Sequence, residues 1–254
     1  DRVEKLCKDK DNNFSDRLLF FQISIDALPP EHNRIRKING LFEKAIESYK
    51  IATMFSPHIQ ASIAITISSE NFMLANDVYD YLTTKHKVKN IALNVVRDEG
   101  IYKVPIDEKE AILSTYSSLS KRIENDRNSG LLDNWNEKSI QGRLMNKKNE
   151  IWRDVLQEIY VEPKYIVPCM AGSIFGIIEA NGKVKPCEIL DTSVGNLRDY
   201  NMDFEELWKS SKALEIKKWV KETKCNCHYD CAWSFNILAG KKYQTRLLPS
   251  IFKF

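Results

Sequence analysis

Five of the six cysteines lie in roughly the last third of the 254-residue chain, and their spacing constrains the fold more than any other feature. They are Cys169, Cys187, Cys225, Cys227 and Cys231. The last three fall within seven residues, a spacing too tight for an ordinary strand or an uninterrupted amphipathic helix. Five cysteines cannot all pair as disulfides, and a chain of this length can build its own hydrophobic core. The pattern therefore predicts a metal or iron-sulfur site.

A predicted hairpin brings the first two of these cysteines together. Asn181 and Gly182 lie between two apolar runs, and Asn-Gly is the strongest short signal for a type I′ turn, in which both central residues have positive φ. Cys187 then falls at the open end of the hairpin, where the chain enters from Cys169. We expect the two thiols to meet there as half of a four-thiolate site. A structural zinc site is the alternative, because four cysteines also bind zinc.

Several landmarks follow in a fixed order. They are a cysteine separated from Gly182 by four residues, Val-Gly-Asn-Leu-Arg over 194–198, Phe-Glu-Glu-Leu-Trp over 204–208, and Cys-x-Cys-x3-Cys over 225–231. Together they resemble the C-terminal SPASM/twitch extension of radical S-adenosylmethionine (SAM) enzymes. The resemblance implies one auxiliary [4Fe-4S] cluster, since two clusters would need about seven cysteines.

The same resemblance implies a ligand set for that cluster. It favours Cys169, Cys187, Cys227 and Cys231 as the four ligands, with Cys225 spare. The choice between Cys225 and Cys227 stays open. Such a cluster would relay electrons or support the substrate.

The chain before the cysteines alternates apolar runs with amphipathic helical patterns. The runs predict strands over 18–25, 59–67 and 88–96, and the amphipathic patterns predict helices over 40–52, 71–85 and 108–128. This alternation predicts a parallel sheet. A break at 130–134 is followed by a predicted charged helix over 137–160.

We therefore expect an α/β chain in three parts. Residues 1–129 would form half of a parallel (β/α)6 partial barrel, by resemblance to the radical SAM family. Residues 130–165 would form a helical linker. Residues 166–254 would form a small α+β iron-sulfur domain that contains the hairpin.

The strand ends supply the candidate SAM-binding residues. Ile23-Ser-Ile-Asp26 resembles the end of the fourth strand of the family's barrel, and the strands ending near Thr66 and Arg97 resemble the fifth and sixth. The resemblance implies that Ser24, Asp26, Thr66 and Arg97 face SAM and substrate, because parallel barrels bind ligands at the carboxyl ends of their strands. The alternatives are that Asp26 caps a loop, that Ser24 is a small core residue and that Arg97 pairs with a surface acid.

Glu188 is the candidate catalytic residue, because it directly follows Cys187. In sulfatase-maturing relatives an acid at the matching place is regarded as a proton acceptor during substrate oxidation, and burial near a cluster can tune a carboxyl group for such work. A structural role is the alternative, since a carboxylate in a Pro-Cys-Glu turn can accept backbone amide hydrogens.

The family's C-x3-C-x2-C loop, which holds the SAM-cleaving cluster, has no counterpart in this sequence. We expect that motif roughly 100 residues before Ser24, in a complete radical SAM oxidoreductase or maturase that binds SAM and a second [4Fe-4S] cluster. The present chain alone would then be inactive. One alternative is a degenerate protein that kept the cluster-binding module and lost catalysis, although a half barrel would expose an unpaired strand edge. The other is a non-catalytic, zinc-binding interaction domain.

Composition excludes several other classes. The net charge is +3 with both signs mixed, which predicts no nucleic-acid binding, and no apolar run of about 18 residues predicts a membrane span. No export signal is visible, so we expect a cytoplasmic protein with reduced thiols. The expected partners are a peptide or small-molecule substrate and an external electron donor such as flavodoxin or ferredoxin.

Overall fold

A computed structural model of the chain describes residues 2–55, 58–99, 102–133 and 139–252. The chain divides into two compact units. The first spans Asp1–Val96 and Val104–Asn134, and the second spans Arg97–Lys103 and Trp135–Phe254. All six cysteines are described, and five of them belong to the second unit.

A parallel sheet of three strands forms the centre of the first unit. The strands, in spatial order, are β1 (Leu19–Ser24), β2 (Ile59–Ile67) and β3 (Ile91–Val95). The register pairs Ile23 with Ile63 and Ile63 with Ile91. Residues 61–65 of β2 are all buried, which suits the continuous apolar run of a central parallel strand. The predicted α/β fold with a parallel sheet is confirmed.

Helices connect and cover these strands. They are α1 (Arg2–Asn13), α2 (Pro29–Arg36), α3 (Leu41–Thr53), α4 (Ala75–Asp80) and α5 (Ile106–Asn128). α4 continues as a π-helical turn over Tyr81–Lys85. The helix predicted over 71–85 therefore begins later than expected. The reason is that the side chain of Asn71 accepts a hydrogen bond of 2.8 Å from the backbone N–H of Ser68 and holds this segment in a turn.

The second unit contains the remaining helices of the described chain. They are α6 (Ile140–Ile159), α7 (Phe204–Trp208), α8 (Ser211–Glu222), α9 (Asp230–Ala239) and α10 (Gln244–Ile251). α6 begins after Ser139, whose hydroxyl accepts a hydrogen bond of 2.9 Å from the N–H of Gly142. The predicted helix over 137–160 is thus present, although residues 137 and 138 lie outside the described residues. This helix packs within the second unit, where the rings of Trp152 and Trp233 stack with centroids 5.9 Å apart.

The second unit also holds a small antiparallel sheet, and its hairpin differs in turn type from the prediction. Its strands are β4 (Ile177–Ile178), β5 (Lys183–Lys185) and β6 (Gly195–Asn196). Gly182 donates to the carbonyl of Glu179 at 2.8 Å, and the N–H of Glu179 donates to the carbonyl of Lys183 at 2.9 Å. Positive φ occurs at Gly182 and not at Asn181. The loop therefore has three residues with a bulge at Gly182, and the predicted type I′ turn is wrong.

No helix among the described residues is both long and apolar enough to cross a membrane.

Candidate metal centre

The open end of the hairpin positions Cys169 and Cys187. The N–H of Gly172 lies 3.0 Å from the carbonyl of Phe175 and 3.2 Å from that of Pro186, so the turn after Cys169 closes against the residue before Cys187. Each sulfur accepts a backbone hydrogen bond, from Ala171 at 3.5 Å and from Leu190 at 3.3 Å. Burial raises the pKa of the Cys169 thiol, and the nearby Cys187 raises it further. The two thiols therefore lie at one place.

A small hydrophobic core supports this end of the hairpin. Cys169 and Cys225 pack against its buried side chains, which are Val184, Val194, Leu197, Leu207, Ala213, Ile216 and Val220. The sequence landmarks at 194–198 and 204–208 thus act as core residues of the cysteine-bearing region. Gly176 is needed for close packing, because a Cβ atom there would lie 2.6 Å from the ring of Trp208 and 2.9 Å from the carbonyl oxygen of Lys185.

Cys225 and Cys227 lie in the segment before α9, and Cys225 packs against the same hydrophobic core as Cys169. Burial raises the pKa of Cys225 to about 11, with smaller contributions from Cys169 and Cys187. Burial also raises the pKa of Cys227 to about 12, and Glu99, Cys169 and Cys225 add to it. The indole N–H of Trp233 donates to the carbonyl of Cys227 at 2.7 Å and fixes this segment on α9. Thiols with raised pKa values keep their protons in the metal-free protein, so metal binding must release them.

One close group of donor atoms occurs among the described residues, and it contains no cysteine. Among the described residues, Asp98, Glu99 and His228 form the one group of three donor atoms from His, Cys, Asp or Glu that all lie within 4.8 Å of one another. Thiolates around one zinc ion lie about 3.8 Å apart, given a Zn–S bond of about 2.3 Å. In a [4Fe-4S] cluster each thiolate binds a different iron, so the sulfurs lie farther apart. The five thiols of the second unit supply the ligand type that such a cluster needs.

His228, between Cys227 and Tyr229, is held by hydrogen bonds. Its Nδ1 lies 3.1 Å from a carboxylate oxygen of Glu99, and its backbone N–H donates to the same oxygen at 3.0 Å. Its Nε2 accepts a hydrogen bond of 3.3 Å from the N–H of Asp98. These contacts bring Asp98, Glu99 and His228 together. They also fix the cysteine segment on residues that sequence reasoning missed.

Glu188 contacts two side chains that are distant in sequence. The hydroxyl of Tyr229 donates to one carboxylate oxygen at 2.6 Å, and Arg97 donates to the other at 3.1 Å. The guanidinium carbon of Arg97 also lies 4.8 Å from the centre of the Tyr229 ring. The hydrogen bond from Tyr229, followed by that from Arg97, lowers the pKa of Glu188. Glu188 is therefore held as a carboxylate.

Cys231 lies beside the same tyrosine. The pKa of Tyr229 is raised first by burial and then by hydrogen bonding to Cys231 and to Glu188. Cys231 is exposed, whereas Cys187 is buried and Cys169, Cys225 and Cys227 are half-buried. Tyr229 thus links the last cysteine of the set to the residue that follows Cys187.

In the first unit, Asp26 ties the ends of β1 and β2 together. One of its carboxylate oxygens accepts a hydrogen bond of 2.9 Å from the backbone N–H of Thr66, and the other accepts one of 2.5 Å from Arg36. Asn71 donates to the carbonyls of Asp26 and Thr66 at 2.7 and 2.8 Å. Ser24 lies exposed at the end of β1. Three of the four candidate SAM-binding residues therefore lie at two adjacent strand ends of this unit.

The fourth candidate, Arg97, follows β3 and belongs to the second unit, where it contacts Glu188.

Arg36 and Asn71 are additional residues at the strand ends. No sequence motif indicated these two residues, because their side chains reach the strand ends only after the turn or helix that carries them has folded. The role of these side chains toward SAM stays a prediction.

Comparisons with known proteins agree with this geometry. Residues 169–232 match the family model of SPASM, an iron-sulfur cluster-binding domain. No curated protein matches the sequence. A solved structure of polyhistidine-tagged anSMEcpe with bound AdoMet is 17% identical, with a TM-score of 0.56 over 98% of this chain and 71% of that chain. Native anSMEcpe with bound AdoMet is 16% identical, with a TM-score of 0.55 over 98% and 70%. The predicted resemblance to the SPASM iron-sulfur domain is thus confirmed over residues 169–232, and the chain shares the fold of these two AdoMet-bound proteins.

Proposed function

We propose that this chain acts in a radical SAM enzyme that oxidises or modifies a peptide or small-molecule substrate, and that its second unit holds one auxiliary [4Fe-4S] cluster. The observation that carries the proposal is the match of residues 169–232 to the SPASM model, within which Cys169 and Cys225 pack against one hydrophobic core. When bound, SAM and its own cluster supply a 5′-deoxyadenosyl radical that removes a substrate hydrogen, and the auxiliary cluster accepts or relays an electron.

Within this proposal, Cys169, Cys187, Cys227 and Cys231 hold the cluster, and Cys225 is the spare thiol. The backbone N–H groups of Ala171 and Leu190 already point at two of these sulfurs. Hydrogen bonds to ligand sulfurs stabilise their anionic form and tune a bound cluster. The hydrophobic core beneath Cys169 keeps water away from that side of the site.

Glu188 would accept a proton from the substrate. Two features support this role: it follows a proposed ligand directly, and the hydrogen bonds from Tyr229 and Arg97 keep it ionised. A carboxylate with a lowered pKa is a weak base, so it suits a substrate whose proton has become acidic. In the complete enzyme, we expect Glu188→Gln to reduce product formation by a factor of about 10² or more with normal cluster content. Glu179→Gln, on the same hairpin, is the control, and unchanged product formation in Glu188→Gln would exclude the role.

Ser24, Asp26 and Thr66 would shape the SAM-binding end of the sheet, with Asp26 acting through its bonds to Arg36 and to the N–H of Thr66. Arg97 would act beside Glu188. An external donor such as flavodoxin or ferredoxin would supply electrons, and the cytoplasm would keep the thiols reduced.

The test is the content of iron, acid-labile sulfide and zinc per chain after anaerobic purification and reconstitution. We expect about four irons and four sulfides in the wild type, and loss of both in Cys169→Ala and in Cys187→Ala. Cys7→Ala is the matched control, because Cys7 is a buried cysteine of the first unit and should not affect the cluster. One zinc and no sulfide would instead indicate a non-catalytic metal-binding domain, and the proposal would be withdrawn.

The ligand set is tested separately with the closing cysteines. Cys225→Ala should keep the full iron content, whereas Cys227→Ala and Cys231→Ala should lose it. Loss in Cys225→Ala together with retention in Cys227→Ala would reverse the choice between these two thiols.

A further inference from the structure

A buried lysine lies beside the proposed cluster site. Lys148, in α6, is only 5% exposed, and its ammonium donates a hydrogen bond of 3.2 Å to the hydroxyl of Ser234 in α9. The stacked rings of Trp152 and Trp233 fix the two helices at this level. A buried ammonium is costly unless negative charge compensates it. The position of Lys148 therefore calls for an anion.

The anionic partners of Lys148 lie in the first turn of α9. Asp230 and Cys231 precede Ser234 by four and three residues, so all three share one face of the helix. Burial lowers the pKa of Lys148, whereas the neighbouring Asp230 and Cys231 act in the opposite direction. The amino end of α9 carries partial positive charge of its own, which adds to that of the ammonium. Asp230 supplies one negative charge, and a ligand thiolate at Cys231 would add a second on this face of α9.

We propose that Lys148 is the buried counter-charge of the auxiliary cluster and raises its reduction potential through Cys231. The inference rests on the proposed function, because it requires a cluster bound by Cys231. One-electron reduction by the external donor adds a negative charge to the cluster, and a nearby cation stabilises that charge. Lys148 would act on the cluster through Cys231, so it is a positioning residue and not a catalytic one.

The test is a redox titration of the reconstituted protein, monitored by electron paramagnetic resonance, which gives the midpoint potential of the cluster. Iron and sulfide are measured on each sample. Lys148→Gln removes the charge and keeps a group that can bond to Ser234, whereas Lys148→Arg keeps the charge. We expect a more negative potential in Lys148→Gln and an unchanged one in Lys148→Arg. Lys147→Gln is the matched control, because Lys147 contacts Glu150 within α6 at 2.6 Å and lies next to Lys148 in sequence. It should keep the wild-type potential.

The outcomes separate this inference from the proposed function. A wild-type potential in a fully loaded Lys148→Gln overturns the inference alone. If Lys148→Gln loses the cluster and Lys148→Arg retains it, the positive charge is needed, which supports the inference. If both variants lose the cluster, Lys148 has a packing role and the inference is overturned. Full loading of Cys231→Ala also overturns it. A wild type without iron and sulfide overturns the proposed function, and the inference with it.

Discussion

The hydroxyl of Tyr229 donates a hydrogen bond of 2.6 Å to Glu188, and this bond contributes most to the lowered pKa of that carboxyl group. Glu188 directly follows the proposed ligand Cys187, and Tyr229 lies two residues after the proposed ligand Cys227. Arg97 contacts both partners, the carboxylate through an ion pair of 3.1 Å and the tyrosine through its ring. Arg97, Glu188 and Tyr229 thereby form a polar cluster beside the cysteines, and the protonation state of Glu188 can be measured directly.

Replacing Tyr229 with Phe should raise the pKa of Glu188, because the carboxylate loses its strongest hydrogen-bond donor. The pKa can be followed by NMR titration of a protein labelled with ¹³C at the glutamate carboxyl groups. Tyr165→Phe is a suitable control, since this exposed tyrosine belongs to the same unit and its ring lies near Lys224. An unchanged pKa in Tyr229→Phe would mean that Arg97 alone holds the carboxylate in its ionised form.

The sequence predicted elements better than it predicted the contacts between them. β2 coincides with the apolar run at 59–67, because a strand buried on both faces must be apolar throughout. The hairpin was located but its turn type was not, since Asn-Gly favours positive φ without deciding whether the loop has two residues or three.

The side-chain groups around the site had no local signal. Arg97 and Glu188 are 91 residues apart, and Glu188 and Tyr229 are 41 residues apart. Lys148 lies in a helix that the sequence identified only as charged, and it is buried where α6 packs on α9. The cysteines were recognised because their spacing is itself the signal, whereas a contact between distant segments exists only once the chain has folded.

Asn71 should be one of the most sensitive residues of the first unit. It is 3% exposed, donates to the carbonyls of Asp26 and Thr66, and accepts a hydrogen bond from Ser68. Asn71→Ala leaves three backbone groups without this partner, so we expect the free energy of unfolding to fall by about 3 kcal/mol. Urea unfolding followed by circular dichroism measures the change.

The control for Asn71 is Asn33→Ala, which removes one hydrogen bond, to the N–H of Phe42 at 2.9 Å. Its expected cost is about 1 kcal/mol. Equal costs for the two variants would show that the three bonds of Asn71 add little to the connection between the strand ends.

The stability of the first unit should fall in mild acid because of His32. This residue is 1% exposed, and its Nδ1 accepts a hydrogen bond of 3.4 Å from the N–H of Asp26. Burial lowers its pKa, Arg36 adds to this effect, and Asp26 and Glu43 oppose it. The unfolded chain therefore binds a proton more readily, with a pKa of about 6.5, and folding favours the neutral ring. The resulting stability is present above about pH 6.5 and is lost as the pH falls toward the folded-state pKa.

The measurement is urea unfolding at several values between about pH 5 and pH 7.5. His32→Gln should show a smaller loss of unfolding free energy on acidification than the wild type, because the titrating group is gone. His58→Gln, at an exposed histidine, should follow the wild type. Parallel curves for His32→Gln and the wild type would assign the acid sensitivity to other groups.

Gly182→Ala should destabilise the hairpin by more than backbone strain alone. Gly182 has φ of +86°, and a Cβ atom there would lie 2.7 Å from the side-chain oxygen of Asn196 and would also meet the guanidinium of Arg198. Gly130 has a similar φ of +79°, with nothing within 4 Å of an added Cβ. We expect Gly130→Ala to cost about 1 kcal/mol from its left-handed conformation, and Gly182→Ala about 2 to 3 kcal/mol from strain and crowding together.

The hairpin variant should also affect the proposed cluster, because β5 leads directly into Cys187. Urea unfolding gives the free energies, and iron content after reconstitution gives the functional consequence. Gly182→Ala should load less iron than the wild type, and Gly130→Ala should load the same amount. Full iron content in a destabilised Gly182→Ala would mean that Cys187 is held by the turn at Gly172 and Pro186, whose backbone atoms lie 3.2 Å apart, and not by the far end of the hairpin.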